Sequence, residues 1–425
     1  MESPYPGAGP RNLSSYPSRA VTNPYLAFIE SNTSGTGRLF AFAARDQHLR
    51  PVLITDSPSR YNYAAEDSIE VILKDTQDED ALLEECRRLA ATGGLAAVAT
   101  SSEYYAEITA RIAFRLGLPG PRLRAVRACR DKHRQREILR AASCGVPEFS
   151  SATSVKRALA AARRVGLPAI VKPVSGSGSV GVRMCSTLDE IASHAKALLD
   201  QRTNERGQTL PHKILVESIA QGPEYSVEVL SNRVVGITKK YLGPLPDFVE
   251  VGHDYPAELI APNRSALERA ALSAVNALGV VWGPVHIELR MTEQGPKIIE
   301  VNPRLAGGYI PELVRLASGV DLILQTIRAV TGNRPVLEPL ANRHASIRFI
   351  LAPKEGTFRS VEGLDKARGV SGVVEVKLYS DPGSKVSPRG DFRDRIGHVI
   401  TCSDTGAKAR VAAETAHQTI KVFVE

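Results

Sequence analysis

Two short apolar arms, Val285-His286-Ile287-Glu288 and Ile298-Ile299-Glu300-Val301-Asn302-Pro303-Arg304, flank the segment Thr292-Glu293-Gln294-Gly295. No other stretch constrains the fold as tightly, because β-branched runs on either side of a glycine turn read as a β-hairpin. A three-residue loop ending in Gly295, which tolerates positive φ, pairs Thr292 with Pro296. That register sets Glu288 directly opposite Glu300. Asn302 follows on the same face, since strand side chains alternate with period two. Two carboxylates and an amide oxygen form a donor set suited to Mg²⁺, which takes oxygen ligands and shares its shell with substrate phosphates. The alternative is a surface hairpin with two solvated glutamates. Like charges opposed across strands are destabilising unless something neutralises them, which favours the metal.

Around this hairpin the chain is long enough, at 425 residues, for two or three domains. Its hydrophobic content of 43% and charged content of 24% are those of a soluble globular protein. The net charge of +8 is spread along the chain without an aromatic-interleaved basic stripe. Nucleic acid is therefore excluded as the expected partner, and anionic small molecules such as nucleotides fit better. The five cysteines are widely spaced and lack any C-x-x-C pair, as expected of reduced thiols in a cytoplasmic protein. No apolar run approaches membrane-spanning length, so no membrane association is expected.

Residues 1–22, rich in Pro, Ser, Gly and Tyr, read as a flexible leader. Strands at Tyr25–Ile29, Pro51–Thr55, Ile69–Leu73 and Ala96–Thr100 alternate with helical stretches at 38–47, 78–92 and 103–116, the pattern of a small doubly wound parallel domain. The turn Asn32-Thr33-Ser34-Gly35-Thr36-Gly37 lacks the third glycine of a dinucleotide fingerprint. Beyond Arg130 come helices at 131–143, 154–165 and 264–278, and strands at 168–173, 182–185, 213–217, 224–230 and 233–239. Segments 202–211 and 241–263 read as loops. The final block carries strands at 345–351, 372–379 and 397–402 and a helix at 405–420.

The segment Ser175-Gly176-Ser177-Gly178-Ser179-Val180-Gly181 satisfies G-x-G-x-x-G literally, yet a strand follows it instead of a helix, and there is no Walker lysine. A Gly/Ser loop between antiparallel strands is a flap whose N–H groups can close over phosphates, and Lys172 just upstream can reach them. A bare loop is the alternative. The exit of the strand ending Val216-Glu217 offers free backbone groups that could bond an adenine edge, and Glu224 one loop later could accept from ribose hydroxyls.

The ordered set Asp131-Lys132, Val171-Lys172-Pro173, the flap, Val216-Glu217, Gly222-Pro223-Glu224-Tyr225-Ser226-Val227, His286-Ile287-Glu288 and Ile299-Glu300-Val301-Asn302-Pro303-Arg304 resembles the ATP-grasp superfamily over about residues 130–330. The resemblance implies an α/β fold: a Rossmann-like N-terminal parallel α/β domain over 23–128 and an ATP-grasp domain over 129–335. The small lobe, at about 145–235, would carry the phosphate flap, and 336–425 would complete the large lobe as a C-terminal cap.

It also implies roles. ATP would meet Lys132 and Lys172 at its phosphates, with Lys172 also near the adenine, beneath the flap of Ser175, Gly176, Ser177, Gly178, Ser179 and Val180. Glu217 would lie at the adenine edge and Glu224 at the ribose. Glu288 and Glu300 would carry two Mg²⁺ ions, with Mn²⁺ able to substitute, and Asn302 would join one of them. Arg304 would contact the transferred phosphate or an acyl phosphate. His253 falls where related ligases place a histidine beside the reacting carboxylate; an exposed loop histidine is the alternative.

Within the superfamily the chain resembles the L-amino acid ligases, which join two amino acids with release of ADP and phosphate. The continuation Asn302-Pro303-Arg304-Leu305-Ala306-Gly307-Gly308 and the C-terminal Pro382-Gly383 and Arg395-Ile396-Gly397 carry this likeness. The cap also resembles that of biotin carboxylases, but Leu305-Ala306-Gly307-Gly308-Tyr309 replaces their Gln-Val-Glu-His continuation. An amine or carrier-protein acceptor in a specialised pathway is the runner-up, and a non-catalytic nucleotide-binding module is the reading from another class. Related ligases are often dimers, so a homodimer is an expectation too.

Overall fold

The computed structural model describes residues 23–33 and 36–425, so the expected leader at 1–22 and two residues of the first glycine turn lie outside the described residues. Four parallel strands form the N-terminal sheet in the spatial order Glu70–Leu73, Arg50–Thr55, Tyr25–Ile29, Leu95–Ala99. Period two divides its side chains between two cores. Ala27, Ile29, Val52 and Ile54 pack with Leu82, Leu83 and Ile112 of the helices Glu79–Gly93 and Ala106–Arg115. Leu26, Phe28 and Leu53 pack on the other face with Phe40 and with Leu313, Ile323 and Ile327. Those last three belong to helices Ile310–Ser318 and Leu322–Val330, so one core is shared between the N-terminal domain and the end of the ATP-grasp region. The central strands Tyr25–Ile29 and Arg50–Thr55 are buried on both faces, as parallel strands usually are, while the edge strand Glu70–Leu73 is not.

A second sheet is antiparallel, in the order Phe149–Ala152, Ile214–Ser218, Ala169–Pro173, Arg183–Cys185. Val171, Val216 and Ile214 face helices Val155–Val165 and Leu188–Asp200. By alternation Lys172 and Glu217 share the opposite face, the one the cleft uses. This sheet ends at Ser218. The strand Glu224–Leu230 pairs instead with Pro284–Thr292, so the small lobe stops well short of the expected boundary near 235.

The largest sheet has eight antiparallel strands in the order Gly295–Asn302, Pro284–Thr292, Glu224–Leu230, Arg233–Leu242, Glu250–Tyr255, His344–Leu351, Arg395–Ser403, Val373–Leu378. Helix Ala261–Leu278 covers one face with Leu267, Ala271, Ala274 and Leu278, joined by Leu139 and Ala125 from the helices Lys132–Ala141 and Leu123–Arg130. A three-stranded sheet at the C-terminus packs around Phe358, Val386 and Val424.

Two expectations are corrected here. The segment 241–263 is not one long loop, for Glu250–Tyr255 lies at the centre of the large sheet. Gly252 sits inside that strand because its neighbour comes so close that a Cβ would stand 2.6 Å from the Ile347 carbonyl oxygen. A glycine that looks like a loop residue is therefore a strand residue under a crowded neighbour. The hairpin, too, is built differently. Thr292 pairs with Gly295 across a two-residue turn, and the register then shifts between Glu288 and Leu289. The extra residue, Ile299, is a β-bulge that restores the parity. Glu288 still stands opposite Glu300, and His286 stands opposite Asn302.

Candidate active site

Between the small and large sheets lies a cleft enclosing about 950 Å³ of open space. Lys132, Lys172, Glu217 and Glu224 line it, as do Glu288, Glu300, Asn302 and Arg304. Flap residues Gly176, Ser177, Gly178, Ser179 and Val180 form one side, while Ile219, Ala220 and Phe248 add apolar and backbone surface. Of the residues expected from sequence, Ser175 and His253 do not line it.

The flap lies down over the cleft and is held at several points. Lys132 Nζ donates to the Gly176 carbonyl at 2.9 Å, Arg304 Nη2 to Ser177 Oγ at 3.0 Å, and Ser179 Oγ to the Phe248 carbonyl at 3.1 Å. Phe392 of the C-terminal region covers Gly178, whose φ of 66° and lack of a side chain admit the ring; a Cβ would stand 2.5 Å from Phe392 Cδ1. Glycine is needed there on both counts.

Helix Lys132–Ala141 ties the flap, the small sheet and the hairpin together. Asp131 caps it, accepting from the His133 and Arg134 amides. Gln135 exchanges two hydrogen bonds with Val301, at 2.9 and 3.0 Å, completing the edge strand of the large sheet. Arg136 donates from Nε to Glu217 Oε1 at 2.6 Å and from Nη2 to the Ile299 carbonyl at 2.5 Å. The bulge thus supplies the acceptor that links the hairpin to Glu217. Lys172 is the second cation on Glu217. Burial raises the Glu217 pKa, but Arg136 and Lys172 overcome it and hold the carboxyl below the usual range. Lys172 is pushed down by burial, and the Arg136 and Lys132 charges add to that against the pull of Glu217.

The opposite wall gathers carboxylates with their cations, among them Arg290, whose Nε donates to Glu224 Oε2 at 2.9 Å. Lys240, which sequence reasoning passed over, is its hub: Nζ lies 2.9 Å from Glu224, 2.6 Å from Glu250 and 2.7 Å from Glu288. Burial opposes its charge, yet three carboxylates raise its pKa well above the usual lysine value. Glu288 is held far below the ordinary carboxylate range against the cost of burial, by Lys240 and by His286. His286 is itself raised to about 9, because Glu228 and Glu288 outweigh burial. Across the hairpin Lys132 sits 2.7 Å from Glu300. Lysines are therefore what neutralises the opposed glutamates here.

The residues present fit a hard divalent cation. Glu288 and Glu300 are paired across two strands with Asn302 on the same face, and all three line the cleft. Two carboxylates and an amide would fill part of such a cation's shell and leave positions for phosphate oxygens and water. Among the described residues there is no group of three or more His, Cys, Asp or Glu that could hold a metal.

Arg304 reaches into the N-terminal domain. Its Nε and Nη2 donate to Glu103 Oε2 at 2.9 and 2.6 Å, and Arg130 pairs with the other Glu103 oxygen. Burial is outweighed by Arg304 and Arg130, which bring Glu103 down to about 2. His253, expected beside the reacting carboxylate with an exposed loop as the alternative, stands in the sheet interior: it is 0% exposed, neither ring nitrogen has a hydrogen-bond partner among the described residues, and burial brings its pKa down to about 3. It stands behind Glu250, which lines the cleft and accepts from Arg395 Nη2 at 2.6 Å. Lys240, Glu250, Arg136 and Glu103 escaped notice because each lies outside the quoted motifs. Lys240 could have been found by parity, as an inward position two after Thr238 on a strand that sequence reading ended at 239.

Family models match this chain in three places: an ATP-grasp N-terminal domain at 44–120, an ATP-grasp domain at 165–312, and an L-amino acid ligase C-terminal domain at 348–425. The Sinorhizobium fredii protein y4rH is 37% identical over 395 residues, covering 93% of this chain and 82% of that protein. The chain belongs to the ATP-grasp superfamily. Within it the chain is an ATP-dependent carboxylate–amine ligase. The carnosine synthase of Gallus gallus is 30% identical over 246 residues, 54% of this chain but only 26% of that protein. In structure, the L-amino acid ligase of Bacillus licheniformis superposes with a TM-score of 0.78 at 22% identity, over 95% of this chain and 99% of that one, a likeness of fold.

Proposed function

We propose that the chain joins the carboxylate of one L-amino acid to the amine of a second through an acyl phosphate, releasing ADP and phosphate. The observation that carries this is one cleft in which Lys132, Lys172 and the flap face a wall where Glu224, Glu250, Glu288 and Glu300 are interleaved with Lys240 and Arg290. Bound Mg²⁺, as one or two ions on Glu288, Glu300 and Asn302, would neutralise charge on the transferred phosphoryl group. Lys132 and Lys172 bind the phosphates, Arg304 steadies the transferred group, and the latched flap excludes water from a hydrolysable intermediate. Glu250, ionised at the cleft, offers a counter-charge to an α-ammonium group. Amino-acid substrates are supported by the match of residues 348–425 to an L-amino acid ligase domain, because Arg395 of that region holds Glu250. Five free thiols are in keeping with a cytoplasmic setting, and no helix among the described residues is long and apolar enough to cross a membrane.

The test is to incubate purified protein with ATP, Mg²⁺ and pooled L-amino acids, then to follow phosphate and product masses. Phosphate release that needs two amino acids is expected. Release needing one amino acid plus another amine or a carrier protein would replace the dipeptide reading, and AMP with pyrophosphate would sink the acyl-phosphate route.

A further inference from the structure

His286 lies two residues before Glu288 on the strand Pro284–Thr292, so the two side chains share a face. On the neighbouring strand Glu228 stands directly across from His286. The imidazole is almost fully enclosed, with Nδ1 2.8 Å from Glu228 Oε1 and Nε2 3.2 Å from Glu288 Oε1. Glu228 is 2% exposed, and neither it nor His286 lines the cleft. One ring thus ties a deep carboxylate to a carboxylate at the cleft wall.

The contacts on Glu288 are one-sided. His286 and Lys240 both approach Oε1, and Oε2 has no protein partner among the described residues. Ser226, directly across from Glu288, takes no part: its buried hydroxyl has no hydrogen-bond partner. Burying a Glu–His–Glu array is a poor way to add stability, since well-packed apolar groups of the same volume would serve as well or better. It is a good way to fix an orientation, as outer hydrogen bonds do for metal-binding carboxylates.

We infer that Glu228 and His286 are positioning residues that lock Oε1 of Glu288 and leave Oε2 directed to a divalent cation, so that they set the protein's cation affinity without touching the cation. The inference rests on the reading of Glu288 as a metal ligand. Glu228→Leu removes the acceptor that orients the ring while keeping volume; Glu228→Gln keeps an acceptor for Nδ1–H.

The experiment measures Mn²⁺ binding to the full chain in the presence of ADP, by the loss of the free-Mn²⁺ paramagnetic resonance signal, alongside the unfolding temperature of the metal-free protein. Glu288→Gln serves as the reference and is expected to lose the bound Mn²⁺. Glu228→Leu is expected to weaken Mn²⁺ binding by about 10–100-fold, the size of other outer-shell losses. Glu228→Gln is expected to recover most of it. A purely structural role would lower the unfolding temperature and leave the affinity of the folded protein unchanged. Parental Mn²⁺ affinity in Glu228→Leu, with binding lost in Glu288→Gln, would overturn the positioning role alone. Parental affinity in Glu288→Gln would overturn the metal assignment and this inference with it. If Glu228→Leu does not fold, His286→Gln replaces it, since that side chain cannot bridge both carboxylates, and the same loss is expected.

Discussion

Two buried lysines face each other across the cleft and live in opposite company. Lys172, on the small sheet, has a single carboxylate, Glu217, which it shares with Arg136, while Lys132 stands nearby. Lys240, on the large sheet, touches three carboxylates, which it shares with Arg290, Arg395 and His286. The first wall carries surplus positive charge, whereas on the second Glu224, Glu250 and Glu288 are matched by Lys240, Arg290 and Arg395. On the proposed function the first wall would meet the nucleotide phosphates, and the carboxylates of the second would meet cations, metallic or ammonium. Each lysine is buried on a strand, so residue type alone does not distinguish them. What distinguishes them is the number of carboxylates packed around each, one for Lys172 and three for Lys240.

The comparison breaks most sharply at the carboxylate-bearing wall. Glu300→Ala is expected to abolish ADP formation while the fold, read by circular dichroism, stays intact; undiminished turnover in well-folded protein would remove Glu300 from the metal site. Lys240→Met leaves Glu224, Glu250 and Glu288 without their common counter-charge, and breaking such a buried array costs about 3–5 kcal/mol. Chemical denaturation should show that loss in Lys240→Met and a clearly smaller one in Lys172→Met. Equal losses would mean that the two lysines are equivalent after all. Lys172→Ala acts on the nucleotide: about tenfold weaker ATP binding removes roughly 1.4 kcal/mol of ATP-dependent stabilisation at saturating ligand. An ATP-induced rise in Tm matching the parent's would count against its role.

The smallest expected effect lies behind Glu250. The folded pKa of His253 is brought down to about 3 by burial, so at mildly acid pH the unfolded chain takes up a proton that the folded chain refuses. Stability therefore falls as pH drops below the unfolded histidine value, by about 1 kcal/mol between pH 6.5 and 5.5. His253→Gln should lack this contribution and show a shallower decline of Tm over that interval. Parallel declines would show that His253 titrates normally in the fold.

Much of the site was legible locally. The flap, Lys132, Lys172, Glu217, Glu224 and the hairpin carry short motifs in a fixed order, and Gly176–Val180, those four residues and Glu288, Glu300 and Asn302 of the hairpin line one cleft. Glu217 and Glu224 are partial exceptions: Arg136 and Lys172 take up the first carboxylate, leaving the backbone beyond Ser218 to offer the polar edge, and Lys240 and Arg290 take up the second. The strand holding His253 and Glu250 was illegible because Gly252 and the flanking Gly and Pro residues look like loop. The packing that demands that glycine comes from Ile347, far along the chain. The helices Leu123–Arg130, Ile310–Ser318 and Leu322–Val330 were missed as well. The last two owe their apolar surfaces to a core shared with the N-terminal sheet.

By itself the sequence determined that Glu288, Glu300 and Asn302 share a face. That outcome follows from period-two alternation and local register, and it survived a turn one residue shorter than expected because the bulge at Ile299 restored the parity. Only the tertiary structure decided which charges answer those groups. Lys240 comes to Glu288 from 48 residues away, Arg136 to Glu217 from 81, and Arg304 to Glu103 from 201. Alternation is set by the sterics of adjacent residues, whereas the partner of a buried charge is set by which sheets and helices pack together. No local pattern records that choice.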